Sequence, residues 1–208
     1  DIQKNNVGPD LPFLLNQTPS VVVQSDAGNG IGYTGIRIRG TDATRINVTI
    51  NGIGYNDAES MGTFLVNLPD FASSVSSIQI QRGVGSSSNG PSAFGASINL
   101  STHELNEKAY FSASNSAGSF GTLKNTIQFG TGLINKYFTV DARVSNIKSD
   151  GYIDRAFSDL RSYYVSGAYI KGKTSLRFTT FSGKEKTYQA WYGVSDSDLE
   201  NNRTFNPA

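Results

Sequence analysis

The sequence predicts a mainly β chain with two regions: an α+β domain over residues 1–103, then about five long antiparallel strands over residues 104–208. Three observations predict it. Short apolar alternations in the first half are punctuated by Gly, Asn and Pro. From about Lys108 the alternation lengthens to runs of about ten residues. Tight turns such as Asn135-Lys136 and Gly172-Lys173 then alternate with longer polar connections such as Asp150–Leu160.

Taken in order, Leu11-Pro12-Phe13-Leu14-Leu15 opens a helical turn that Thr18-Pro19 closes. Val21-Val22-Val23 reads as a strand, broken by Gly28-Asn29-Gly30, and Gly35 to Gly40 alternates as a second. Arg45 to Asn51 is a third, ended by the turn signal Asn51-Gly52. Leu68-Pro69-Asp70-Phe71-Ala72 reads as a helix start with Pro in an early position. Ile78 to Gly83 and Ala96 to Leu100 supply two more strands around a Gly/Ser loop.

The second half reads as strands at Tyr110–Ser116, Leu123–Leu133, Tyr137–Ser145 and two runs around Tyr163–Tyr169 and Leu176–Thr180. In Tyr137–Ser145 one face takes Phe138, Val140, Ala142 and Val144, the other Thr139, Asp141, Arg143 and Ser145. In Leu123–Leu133, Leu123, Ile127, Phe129 and Leu133 oppose Lys124, Thr126 and Gln128. About ten residues is the length a tilted strand needs to cross a bilayer. The same pattern also suits a soluble sandwich sheet with one wet face, so periodicity leaves both open.

Composition excludes several classes. With 18 Lys+Arg against 17 Asp+Glu, the chain lacks the basic excess of a nucleic-acid binder. It has no Cys and one His, which removes thiolate and multi-histidine metal centres and cysteine nucleophiles. No run approaches the ~18 apolar residues of a membrane-spanning helix, and no leader pattern opens the chain, so further sequence is expected upstream of Asp1.

The order Ile36-Arg37-Ile38-Arg39-Gly40, Val48-Thr49-Ile50-Asn51-Gly52, Ile78-Gln79-Ile80-Gln81-Arg82-Gly83 and Gly90-Pro91-Ser92-Ala93-Phe94-Gly95-Ala96-Ser97-Ile98-Asn99-Leu100 closely resembles the plug domain of TonB-dependent outer-membrane receptors. Gly118-Ser119-Phe120-Gly121-Thr122 is similar to the first hairpin turn of such a barrel, and Asn56-Asp57-Ala58-Glu59-Ser60 resembles receptors of Bacteroidetes-type bacteria. The resemblance implies a plug followed by the first strands of a large transmembrane barrel of about 22 strands, so that roughly 17 lie outside this chain. It implies TonB-dependent import across the bacterial outer membrane, most simply of an iron–siderophore complex, with no enzymatic step and no cofactor. TonB would be gripped through a segment upstream of Asp1, and outer-membrane lipid would surround the strands. The rival expectations are a secreted or surface β-rich carbohydrate-binding module and a glycosidase built on Asp141 or Asp154 with a second acid.

The resemblance further implies that plug arginines pair with acidic residues on the barrel's inner wall. Arg37 and Arg39, two apart and so on one strand face, are expected in that lock, with Arg82 contributing. Without the resemblance, the default is that these arginines face water. Family likeness also nominates Tyr55, Asn56, Asp57, Glu59 and Ser60 as ligand-facing, where their residue types alone read as a solvated loop lacking EF-hand spacing. Gly83–Gly95 lacks a P-loop ending, so its glycines are expected to permit tight turns rather than to hold nucleotide. His103 beside Glu104 has no nucleophile pattern around it. Tyr188, Trp191 and Tyr192 are expected in the aromatic girdle at the membrane interface.

Overall fold

The computed structural model describes residues 2–84, 93–102 and 105–208. His103, Glu104 and most of the Gly83–Gly95 loop lie outside the described residues, as does the expected division at 103/104. Two short helices, α1 (Ile2–Asn5) and α2 (Leu11–Leu14), precede six strands: β1 (Val21–Ser25), β2 (Thr34–Ile38), β3 (Ile46–Ile50), β4 (Ile53–Gly54), β5 (Ser77–Arg82) and β6 (Ala96–Ser101). Five longer strands follow: β7 (Tyr110–Ala117), β8 (Leu123–Gly130), β9 (Phe138–Ser149), β10 (Ser158–Lys171) and β11 (Thr174–Thr187), then α3 (Asp196–Asn201). The fold is mainly β, as the alternating sequence predicts.

The first six strands make two small sheets. β1 and β2 pair antiparallel, with Val21 opposite Ile38 and Val23 opposite Ile36. The second has the order β4-β3-β6-β5, with β3 and β6 parallel. All five residues of β3 are buried, which is why Ile46, Val48 and Ile50 are β-branched: a strand covered on both faces favours them. They join Ile38, Ile98, Leu100, Leu65, Leu68 and Phe71 in one apolar core. Asn51 and Gly52 both have positive φ, 55° and 82°, as a two-residue hairpin demands, and bring Ile53 opposite Ile50.

The segment read as a helix start at Leu68 is instead two 3-10 turns, Leu65–Asn67 and Phe71–Ser74. Between them Asp70 adopts a left-handed backbone, φ 51° and ψ 27°, a conformation that Asp tolerates better than most residues. That reversal interrupts any continuous helix.

Strands β7 to β11 form an up-and-down antiparallel sheet in chain order. Their registers align every row. Ile127, Val144, Tyr163 and Ser182 stand side by side, as do Phe129, Ala142, Val165 and Thr180. This face carries Phe111, Leu123, Ile127, Phe129, Phe138, Val140, Val144, Tyr163, Leu176 and Phe178, all exposed. The opposite face carries Lys124, Thr126, Thr139, Arg143, Ser145 and Ser158, all buried against the first domain. Among the described residues no helix is long and apolar enough to cross a membrane.

Candidate functional site at the buried seam

The seam between residues 2–102 and the polar, buried face of the β7–β11 sheet, the wall on which they pack, centres on one side chain. Pro69, with its fixed φ, and the left-handed turn at Asp70 aim the Asp70 carboxylate at the wall. One oxygen meets Lys124 Nζ at 2.6 Å, the other Arg143 Nη1 at 3.1 Å. Asp70 Oδ2 also accepts from Thr126 Oγ1 at 2.9 Å and Ser145 Oγ at 2.6 Å. Oδ1 accepts from Ser73 Oγ and, at 3.4 Å, from Asn6 Nδ2. The three ionised side chains are only 1–3% exposed. Burial pushes the Asp70 carboxyl up, but the Lys124 and Arg143 charges and these hydrogen bonds outweigh it, so its pKa falls below the ordinary carboxylate value.

The cations are satisfied as well. Lys124 Nζ donates to Asn6 O at 3.0 Å and Asn6 Oδ1 at 2.8 Å. Arg143 Nε donates to Ser74 Oγ at 2.7 Å and Nη1 to Ser162 Oγ at 3.2 Å. A buried ion group persists only when its remaining donors and acceptors are filled in this way. Beside it, Phe71 packs on Phe181 at 5.1 Å and edge-on to Tyr164 at 6.4 Å, while the Tyr164 hydroxyl donates to Thr102 Oγ1 at 2.8 Å. Gly183 lets the wall approach: a Cβ there would lie 2.6 Å from Pro69 Cδ.

Towards the short-turn end the seam opens into a polar cleft of about 310 Å³, with Ser73–Ser76 on one side and Gln128, Asp141, Arg143 and Ser166 on the other. Asp141 accepts from Asn106 Nδ2 at 3.1 Å and is the only carboxylate among the described residues lining the cleft. The paired acids of a glycosidase are therefore not assembled on it. Asp154 lies in the β9–β10 connection, where its backbone N–H donates to Thr204 O.

A second buried acid, Asp10, precedes α2. Thr34 Oγ1 donates to it at 3.1 Å. Burial raises its pKa to about 8, with the nearby Asp70 and Glu185 charges adding to the rise and the Thr34 and Gly32 hydrogen bonds opposing it.

The arginines nominated from sequence stand elsewhere. Arg37 lies on β2 opposite the exposed Val22, itself exposed. Arg39 sits past the strand end with φ 52°, so the two no longer share one strand face. Arg82 Nη1 donates to Pro19 O at 3.1 Å. None of the three makes an ion pair among the described residues. All three are exposed.

The nominated ligand residues form a turn. Asn56 is a staple across β3: its Oδ1 accepts from Val48 N at 2.8 Å, and its Nδ2 donates to Ile46 O and Met61 O. Asp57 Oδ1 accepts from the Glu59 and Ser60 backbone and from Ser60 Oγ. Those hydrogen bonds, the Ser60 backbone first, hold its carboxyl below the usual range. Tyr55 is half-buried and packs on the core, and Glu59 is exposed. Tyr188, Trp191 and Tyr192 follow β11 and are exposed, with Trp191 edge-on to Tyr192 at 6.4 Å.

Sequence reasoning missed Asp70 and its partners. The signal present was Lys124 and Arg143 on the polar face of strands whose other face is apolar; two cations on a face turned inward require an anion from within.

Residues 1–97 match the family model of the TonB-dependent receptor plug domain. No match was found among curated protein sequences. Among solved structures the chain is similar to the copper transporter OprC, at 18% identity and a TM-score of 0.73, over 87% of this chain and 29% of that one. It is similar to the ferric-catecholate import receptor Fiu of E. coli K12, at 21% and 0.68, over 88% and 26%. It is also similar to the ferric yersiniabactin uptake receptor FyuA of Yersinia pestis, at 12% and 0.65, over 86% and 29%. The chain thus spans less than a third of each of these proteins. Residues 1–97 thus carry the match to the TonB-dependent receptor plug domain, and the chain as a whole shares its fold with part of each of these outer-membrane transport proteins.

Proposed function

We propose that this chain is the plug (1–103) and first wall segment (104–208) of a receptor in the bacterial outer membrane that imports a scarce, large ligand by TonB-dependent transport, and that the ligand is an iron–siderophore complex. The observation that carries the reading is the seam. A domain docked through buried Asp70 onto the charged face of a sheet, whose other face is apolar and exposed, suits a stopper inside a lipid-embedded wall. A secreted carbohydrate-binding module would place those large apolar side chains in a core instead.

In this reading the ligand settles over the plug from outside, with Tyr55, Asn56, Asp57, Glu59 and Ser60 on its floor. Asn56 would shape that floor through the backbone it staples, while Glu59 and Ser60 would reach the ligand. Arg37, Arg39 and Arg82 would pair with acids on wall strands not present in this chain, complementing the Asp70 lock on the opposite side. TonB would act through sequence upstream and draw the plug aside, and the ligand would undergo no chemistry. The siderophore assignment is supported by the iron uptake named for two of the similar structures, and copper is the alternative cargo that a third suggests.

Growth of a deletion strain under iron limitation, with single siderophores as iron source, tests it. Loss of growth on one siderophore, restored by the intact gene, is expected. Undiminished growth on every siderophore, together with altered copper accumulation, would replace iron by copper as the cargo.

A further inference from the structure

Above the apolar rows of the β7–β11 sheet, the outward face changes character abruptly. The row Ile127–Val144–Tyr163 is followed by Asn125–Asn146–Arg161–Lys184 and then by Leu123–Lys148–Asp159–Lys186. Lys148, Arg161, Lys184 and Lys186 are all exposed. Within these two rows only Asp159 answers them, 3.5 Å from Arg161 Nη2 and 3.9 Å from Lys148 Nζ. Four cations against one carboxylate leave a surplus of three, in a chain whose whole net charge is +1.

The placement is unfavourable without a further anion. Arg161 and Lys184 are direct cross-strand partners, and like charges opposite one another destabilise a ladder. Partners across strands stand about 5 Å apart, and alternate residues along one about 7 Å, so the four head groups converge over roughly 10 Å. The patch lies at the end of the sheet from which the 150–157 connection and the segment after β11 emerge. In barrels of this kind the longer loops mark the outer side. Phe157, under Lys186 Nζ at 5.8 Å, and Phe120 against Tyr152 at 5.6 Å mark the same level, where aromatic side chains meet headgroups.

We infer that Lys148, Arg161, Lys184 and Lys186 form a binding site for the phosphate-bearing headgroup of a lipid in the outer leaflet, whose acyl chains lie along the apolar rows below. The charge surplus meets the phosphate, Asp159 and Asn146 (Nδ2 to Asp159 Oδ1, 3.2 Å) hold Arg161 and Lys148 in place, and continuity with the exposed Tyr163–Val144–Ile127 row selects a lipid over a free anion. The inference rests on the proposed membrane setting of this sheet, not on the cargo.

The test uses the full-length protein in phosphatidylcholine nanodiscs doped with lipid A or with its dephosphorylated form, with retained lipid counted by native mass spectrometry. Preferential retention of lipid A is expected, unaffected by millimolar inorganic phosphate. The Arg161→Gln/Lys184→Gln double variant should retain roughly thirtyfold less, each lipid-facing charge being worth about a factor of five. Arg161→Lys/Lys184→Arg, which keeps the charge, should retain it. Equal retention of both lipid forms, equal retention by the Gln variant, or displacement by free phosphate would each overturn the site. A protein that stays soluble without detergent would instead refute the membrane setting itself.

Discussion

The plug sheet and the wall sheet are written in the same alternating code and solve opposite problems. In the plug sheet, Ile46, Val48, Ile50, Ile98 and Leu100 point into a dry core and the exposed positions of β5 (Ser77, Gln79 and Arg82) are polar, with Val22, Ile53 and Phe64 among the exposed apolar exceptions in this half of the chain. In the wall, Phe129, Phe138, Val144 and Phe178 point outward, while Lys124, Arg143, Thr126 and Ser145 are buried. The difference teaches that strand burial follows the solvent. Where the outer solvent is hydrocarbon, the apolar rows face out and the enclosed face can carry charge, provided that the enclosed partner supplies the counter-charge.

Removing that counter-charge should have the largest effect. Asp70→Ala leaves Lys124 and Arg143 buried and unpaired, at about 3–5 kcal/mol, and should loosen the plug, measured as a lowered Tm and as leakage of a bulky antibiotic through the full receptor. An unchanged Tm would mean that the seam is not the anchor. Asp70 titrates with a lowered pKa, so its contribution is present above pH 3.8 and is lost as pH falls through its folded value. Acid should therefore mimic the substitution.

The wall is probed from the other side by Phe129→Arg, which should cost about 2–4 kcal/mol if that row lies near the bilayer midplane, measured by urea titration in lipid vesicles. A neutral outcome would put the row in water. Gly183→Ala forces a methyl group against the Pro69 ring; overpacking of this kind costs about 1–3 kcal/mol and should lower the Tm without changing the outward face.

The smallest effect, taken per pH unit, is a slope. Asp10 has its pKa raised to about 8, so between 3.8 and 8 the folded chain holds a proton that the unfolded chain has released. Stability is full below that window and falls as pH rises through it, by about 1 kcal/mol per pH unit. Asp10→Asn should flatten this slope in a Tm series from about pH 5 to 8; an unchanged slope would remove Asp10 as its source.

Much of the fold was legible. The alternations at Val21, Ile36, Ile46, Ile78 and Ala96 mark strands that form, and Asn51-Gly52 makes the hairpin its residues demand. A period of two, however, names two faces without saying which is wet, so Leu123–Leu133 read equally well as half of a soluble sandwich. Packing of the first half of the chain onto the Lys124 face shows which of the two is enclosed. The helix expected at Leu68 fails because the left-handed turn at Asp70 is fixed by partners 54 (Lys124) and 73 (Arg143) positions away, beyond any local pattern. The same distance hid this ion group: Arg37 and Arg39 drew attention to cations in the first half, whereas the pairing formed here has its acid, Asp70, in the first half and its cations, Lys124 and Arg143, on the later sheet. α3 had a local signal, since Ser195 and Asp198 form a reciprocal cap at its start.

Asn6 gives the seam a load path. Its side chain and carbonyl take two hydrogen bonds from Lys124, its amide reaches Ser73 and Asp70, and the next carbonyl, of Val7, accepts from Ser116 on β7. Tension applied at the amino end arrives at Asn6 before any strand of the plug sheet is strained. Because these contacts lie in series along residues 6 and 7, such tension is expected to break them in succession, as a peel rather than a shear, each bond lost stripping Lys124 of a neighbour that helps it tolerate burial. A modest force sustained over a short travel can thereby undo a joint that would resist the same force applied everywhere at once.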